Sequence, residues 1–303
     1  MKALVVGGAG FLGSHLVDRL LAEGDTVDVV DDLSTGSLAN LAEARSSGGE
    51  LKIHHLDACS DDMLALVALR SPEVIFHLGW LPPGRTTPAT IGRGLHGVAN
   101  VLEAARLHGV EKVVTAVPGT ALYGDVAAKD LPVKESQAHG VRGPEGVLAS
   151  AVVNLLATYR HEHEVEFSAL AMAGVYGPRQ RADGGVVAAF ARALADDVAP
   201  LIHGDGRQTR DLLFVDDAVD ALARAARRGS GLVINIGTGV QVSIRDLWAR
   251  MAGPDGVAAV RGDDALVGVS RFALAPTRAR IHLSWASWTT LDDGLAQLGA
   301  LDR

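Results

Sequence analysis

A chain of 303 residues with 48% hydrophobic and 21% charged residues has a globular composition, with enough apolar material for one large domain or two modest ones. The 28 Lys and Arg against 36 Asp and Glu leave a formal charge of −8, which argues against a nucleic-acid surface, and no apolar run approaches the roughly 20 residues of a membrane span. Met1-Lys2-Ala3-Leu4 lacks the regions of a signal peptide, and the single cysteine, Cys59, cannot close an internal disulfide, so a reducing cytoplasm is the expected compartment.

The first predicted strand, Ala3 to Val6, runs into Gly7-Gly8-Ala9-Gly10-Phe11-Leu12-Gly13, and a helix is predicted from Phe11 to Glu23. Between a strand and a helix each glycine has its own physical use. Gly7 permits the tight turn, Gly10 lets the backbone approach a pyrophosphate, and Gly13 lets the helix pack close to the strand. The helix N-terminus at Phe11 and Leu12 then offers N–H groups and a partial positive charge to phosphates. The second strand, Thr26 to Val30, ends in Asp31-Asp32. Asp31 lies about twenty residues past the glycines, where a carboxylate accepts hydrogen bonds from both adenosine ribose hydroxyls. That charge repels a 2′-phosphate, and no Arg or Lys stands within Asp32 to Gly36, so the expected cofactor is NAD rather than NADP.

Further strands are predicted at Leu51 to His54, Val74 to His77 and Lys112 to Thr115, with helices at Asp61 to Leu69 and about Ala89 to His108. The strands are rich in Val, Leu and Ile without strict alternation, as strands buried on both faces are. The alternation of strand and helix predicts a Rossmann-type α/β fold, a doubly wound parallel sheet with right-handed crossovers. Val117 to Gly143 reads as a long loop, Gly146 to His163 as a helix and Val165 to Ala171 as a strand. From Gly174 to Arg210 the chain turns rich in Gly, Pro and Arg. The expected division is a dinucleotide-binding domain of residues 1–173 with about 211–240, and a smaller substrate domain of about 174–210 and 241–303, tightly packed.

Several segments carry a resemblance together. They are Gly7 to Leu21 with Asp31 to Gly36, Phe76-His77-Leu78, Asn100 to Arg106, Leu122-Tyr123-Gly124, Val175 to Gln180, Gly204 to Asp211, and Asn235 to Gly239. In this order they resemble the extended short-chain dehydrogenase/reductases, above all nucleotide-sugar epimerases and dehydratases of the UDP-glucose 4-epimerase type. The resemblance implies NAD, a UDP-sugar substrate and a homodimer joined through helices matching about Ala89 to His108 and Gly146 to His163. It places Asp57 against the adenine and Asp32 and Leu78 in the cofactor site. Arg210 and, in Arg261-Gly262-Asp263, Arg261 match arginines on the substrate diphosphate, for which a guanidinium offers planar paired donors. Gly174 stands where the family often has an Asn at that diphosphate.

The catalytic signature of such enzymes is Tyr-x-x-x-Lys with an upstream hydroxyl, because a tyrosine ionises near pH 10 and needs a neighbouring cation to act as a base. Four residues beyond Tyr123, Tyr159 and Tyr176 stand Ala127, His163 and Gln180, so the motif is absent. By spacing, Glu145 takes the tyrosine position, Ala149 the lysine, Gly119 the hydroxyl with Thr120 beside it, and Gly94 an upstream Asn. Two readings stay open. In one, the chain is an enzyme with a reworked site, Glu145 being the general base with Thr120 or His139 nearby; in the other it is a catalytically silent NAD-binding relative serving as a regulatory or partner subunit. Glu145 also fits as a helix first-turn carboxylate, and Thr120 and His139 as plain loop residues. His161-Glu162-His163-Glu164 lacks the spacing of a zinc pair, and His54-His55 reads as structural, so no metal is expected. Trp80 and Leu81 to Arg85 are expected to line the nicotinamide side of the cleft.

Overall fold

The computed structural model describes residues 1–79, 87–137, 140–141, 143–254, 257–263 and 268–301. Its strands are β1 (Lys2–Val6), β2 (Thr26–Asp31), β3 (Leu51–His55), β4 (Val74–His77), β5 (Lys112–Pro118), β6 (Glu166–Met172), β7 (Gly174–Tyr176), β8 (Leu201–His203), β9 (Thr209–Arg210), β10 (Leu212–Phe214), β11 (Leu232–Ile236), β12 (Val242–Ser243) and β13 (Val260–Gly262). The helices are α1 (Phe11–Ala22), α2 (Ala42–Ser46), α3 (Asp62–Arg70), α4 (Pro88–His108), α5 (Gly119–Tyr123), α6 (Gly143–His163), α7 (Val186–Ala195), α8 (Val215–Ala225), α9 (Ile244–Ala252), α10 (Thr277–Leu283) and α11 (Leu291–Leu301).

Seven strands form one sheet in the order β3-β2-β1-β4-β5-β6-β11, and every neighbouring pair is parallel. The cause is visible in the strands themselves: Ala3 to Val6 and all of β4 are buried, so both faces must be covered. On one face α1 packs with α8; on the other α3, α4 and α6 lie side by side. The expected doubly wound parallel sheet is therefore the one observed. The winding reverses between β1 and β4, and a crevice opens outside the carboxyl ends of strands at such a point.

Two expectations change. β5 continues past Thr115 to Pro118 and keeps register with β6 as far as Met172; a proline can close a strand but not continue its ladder. The stretch from Val117 to Gly143 is not all loop. It holds α5, a short 3-10 turn at Ala128–Asp130 and a bridge from Val133 to Leu274. Short elements of this kind are fixed by distant partners rather than by local periodicity.

The C-terminal part carries small sheets. β7 pairs with β10 and β8 with β13 in parallel, while β9 pairs with β12 antiparallel. Asp211, 1% exposed, ties this region together. Its carboxylate accepts from the Thr238 N–H (2.9 Å) and Oγ1 (2.6 Å), the Gly239 N–H (3.0 Å) and the Leu274 N–H (3.0 Å). Burial raises its pKa against the pull of these donors.

His77 ends β4 inside the core, and neither ring nitrogen has a hydrogen-bond partner among the described residues. Burial holds its pKa down from 6.5 to about 4. The unfolded chain therefore takes up the proton first, and stability falls as pH drops from the ordinary His range toward the depressed value. Urea unfolding is expected to lose about 2 kcal/mol between about pH 7 and pH 5 from this group. A His77→Leu variant is expected to lack that loss; an unchanged slope in the variant would remove His77 as its source.

Candidate functional site

The site begins where β1 ends. Gly7 turns the chain with φ +80°, and its N–H donates to Val30 O at 2.8 Å, tying the turn to β2. A Cβ on Gly7 would lie 2.7 Å from the Gly79 nitrogen, so the turns after β1 and β4 meet backbone to backbone. Gly10 caps α1 in an extended conformation and has no side chain to spend on the cap. Gly13 is closer still: a Cβ there would stand 2.1 Å from Gly7 O. Helix α1 thus starts pressed against the turn, and its first N–H groups have no partner within the helix.

A cavity of about 590 Å³ occupies that crevice. Gly7, Gly10, Phe11, Leu12, Gly13, Asp31, Asp32, Asp57 and Leu78 all line it. The structure therefore brings together every residue that the sequence reading gave to the cofactor.

Asp31 is 7% exposed at the end of β2. One carboxylate oxygen accepts from the Ala9 N–H at 2.8 Å and the other from the Leu33 N–H at 2.9 Å. Burial raises its pKa, and the two N–H donors oppose that rise. Asp32 accepts from the Ser34 N–H (3.0 Å) and Oγ (2.6 Å). Asp57 follows β3, accepts from the Cys59 N–H at 2.9 Å and pairs with Arg93 at 2.9 Å. Burial pushes its pKa up, but the Cys59 N–H and the Arg93 charge hold it below the usual carboxylate range.

Some lining residues were missed by sequence reasoning. Arg93 comes from α4, and nothing local to Asp32 announces it. Arg179, Gln180, Arg181 and Asp183, from the loop after β7, form a further part of the wall. Arg179 pairs with Asp18 of α1 at 2.6 Å and Glu43 of α2 at 3.0 Å, which holds that wall to the first helices. Arg179 and Gln180 stood inside a recognised motif, the one signal that pointed to them.

The residues expected to act on substrate lie elsewhere; Glu145, Thr120, Arg210 and Arg261 are not among those lining this cavity. Glu145 sits half-buried in the first turn of α6, and Thr120 half-buried in the first turn of α5, which packs against α6. Ala149, one turn beyond Glu145, is 0% exposed. Gly119 is closed in: a Cβ there would meet Met172 O at 2.9 Å, Leu274 Cδ1 at 3.0 Å and Phe272 Cζ at 3.2 Å. Gly94 is buried and lines the cavity. Arg210 Nη1 donates to Thr209 O (2.8 Å) and Val269 O (2.7 Å), and burial lowers its pKa. Arg261 is exposed on β13. His139 and Trp80 to Arg85 lie outside the described residues.

Comparison with known proteins agrees with this geometry. Residues 3–237 match the NAD dependent epimerase/dehydratase family. A UDP-glucose 4-epimerase of Mycolicibacterium smegmatis is 39% identical over 320 residues, covering 98% of this chain and 97% of that protein. Among solved structures, the UDP-glucose 4-epimerase of Thermotoga maritima with UDP-glucose superposes with a TM-score of 0.89 at 30% identity, covering 98% and 97% of the two chains. The UDP-glucuronic acid 4-epimerase of Bacillus cereus, in complex with UDP-glucuronic acid and NAD, gives 0.89 at 25% identity over 99% of this chain and 100% of that one. With the family match, a relative along nearly its whole length, and the glycine turn and Asp31 meeting at one crevice, the chain belongs to the NAD-dependent epimerase/dehydratase family and is like the UDP-glucose 4-epimerases within it.

Proposed function

We propose that the cavity at the switch point holds NAD and that the chain acts on a nucleotide sugar, a UDP-sugar in chemical class, with an altered set of proton-handling residues. The observation that carries this reading is the convergence of four separate segments, at Gly7 to Gly13, Asp31-Asp32, Asp57 and Leu78, on one cavity of about 590 Å³, within the few hundred to about 1,000 Å³ of cofactor and ligand sites. The fit is chemical as well as spatial. Gly10 and the start of α1 offer bare backbone to a pyrophosphate, and the Asp31 carboxylate stands at the end of β2 for a ribose.

NAD, when bound, supplies a reversible hydride acceptor for a sugar carbon. In this reading the chain's own residues do the rest. Glu145 takes or returns the proton, and Thr120, on the neighbouring α5, hydrogen-bonds the reacting oxygen. Arg210 and Arg261 hold the diphosphate. The carbonyls of Thr209 and Val269 fix the Arg210 guanidinium, so that it meets a ligand already oriented. Residues 1–173 with about 211–240 form the dinucleotide-binding domain, a division supported by the place of β11 in the main sheet. Residues of about 174–210 and 241–303 form the substrate domain. A homodimer through α4 and α6 is supported by their side-by-side packing and by exposed Leu107 and Val147. Among the described residues no helix is long and apolar enough to cross a membrane, and the single cysteine supports a cytoplasmic setting.

The experiment is to mix the NAD-loaded protein with UDP-sugars, following reduced-nicotinamide absorbance and the identity of the sugar in the product. Transient reduction or an altered sugar is expected. Glu145→Gln is expected to lower turnover at least a hundredfold with NAD affinity unchanged. Full activity in that variant would dismiss Glu145. Absence of any chemistry in the wild-type protein, with NAD bound, would overturn the enzymatic reading and leave a cofactor-binding partner subunit.

A further inference from the structure

The local sequence around Asp31 contains no cation, yet the folded cavity does. Arg93 reaches across from α4 and sets one nitrogen, Nη2, 2.9 Å from Asp57 Oδ2 and 3.4 Å from Asp32 Oδ2. These two carboxylates lie just past the ends of neighbouring strands, β2 and β3, and both line the cavity beside Asp31. Asp31, the residue beside Asp32, makes no ion pair among the described residues and keeps its carboxylate on the Ala9 and Leu33 N–H groups. The approach of α4 is fixed by hydrogen bonds, because Asn100 Nδ2 donates to Ala58 O and Ser60 O at 2.8 Å each and the Cys59 thiol donates to Arg93 O at 3.2 Å. The guanidinium is 56% exposed at the cavity mouth, so it can change partners without moving the backbone.

We propose that Arg93 sets the choice between NAD and NADP: held by Asp57 and Asp32 it closes over the adenosine ribose, and those two acids deny it to a 2′-phosphate. The inference rests on the reading that this cavity binds NAD. A phosphate and a carboxylate compete for the same planar donors. Here the carboxylates are built into the strand ends and always present, so a free ligand's phosphate meets an arginine already engaged. Removing the charge of Asp32 while keeping its shape and its bonds to Ser34 leaves Arg93 with one acid instead of two. The arginine then has charge to offer a group emerging next to Asp31.

Calorimetric titration of NAD and NADP into wild type, Asp32→Asn, Arg93→Ala and the double variant Asp32→Asn/Arg93→Ala tests this, with melting temperatures as the check on folding. The wild type is expected to prefer NAD. Asp32→Asn is expected to tighten NADP about tenfold, and the double variant to lose that gain. A gain of the same size in the double variant would assign the effect to Asp32 alone and overturn the role of Arg93. Unchanged NADP affinity in Asp32→Asn would overturn it as well. If the wild type binds no NAD at all, the reading beneath the proposal fails, which these two outcomes do not touch.

Discussion

Gly13→Ala is expected to destabilise the chain by about 3 kcal/mol or more and to abolish measurable NAD binding. The added Cβ would stand 2.1 Å from Gly7 O, 2.8 Å from Gly8 Cα and 2.9 Å from Gly7 C. All three are backbone atoms of one turn, and none is the end of a flexible side chain. Relief requires α1 to lift off β1 or the turn to open, and either movement displaces the N–H groups of Phe11 and Leu12 from the crevice. Gly92→Ala is the matched control. It lies on the exposed side of α4 with nothing within 4 Å of its Cβ. Alanine should hold or raise stability there, because glycine inside a helix costs up to about 1 kcal/mol. Denaturant unfolding of both variants, with NAD titration, reads the contrast. Wild-type stability and affinity in Gly13→Ala would contradict the close-approach role.

Ala149→Lys is expected to destabilise by about 3 kcal/mol or more and to bring no gain in turnover, although spacing puts it at the lysine position of the Tyr-x-x-x-Lys signature. Ala149 is 0% exposed, so the substitution adds three methylenes and an ammonium to a filled interior. Overpacking alone costs about 1–3 kcal/mol, and an unpaired buried charge adds to that. Glu145 lies one turn earlier on α6, in the order that favours a Glu-to-Lys pair, so it offers the new cation partial relief. The double variant Glu145→Gln/Ala149→Lys is therefore expected to be less stable still. The remaining position behaves alike: Gly119→Ser drives a Cβ against Met172 O, Leu274 and Phe272. A triple variant Gly119→Ser/Glu145→Tyr/Ala149→Lys that folded as well as wild type and turned over a UDP-sugar would contradict a reworked site. It would mean that the family's machinery had been lost without the interior changing shape.

What was legible in the sequence was what is local. A strand, a glycine turn and a helix in direct succession fix their own geometry, and Asp31 follows at a distance set by one crossover. The buried parallel strands betray themselves by runs of Val, Leu and Ile. The closure over Gly119 was not legible, because Phe272 and Leu274 come from some 150 residues along the chain and nothing around Gly119 encodes them. Arg93 escaped for the same reason: a search for cations confined to Asp32 through Gly36 could not see a helix that α3 and α6 hold over the strand ends. The bridge of Val133 to Leu274, which pins the region read as loop, is again a long-range contact. Glu145 and Thr120 were chosen by spacing, and the fold puts them on adjoining helices but outside the cavity of the glycine turn.

In the proposed function the crevice between β1 and β4 clasps a dinucleotide through the start of α1 and the Asp31 carboxylate. Titration calorimetry of NAD into the wild-type protein tests it most directly. Binding at one site per chain, lost in Gly13→Ala and kept in Gly92→Ala, is the expected result. A folded wild-type protein that gives no heat with NAD and no rise in melting temperature at millimolar NAD would contradict it.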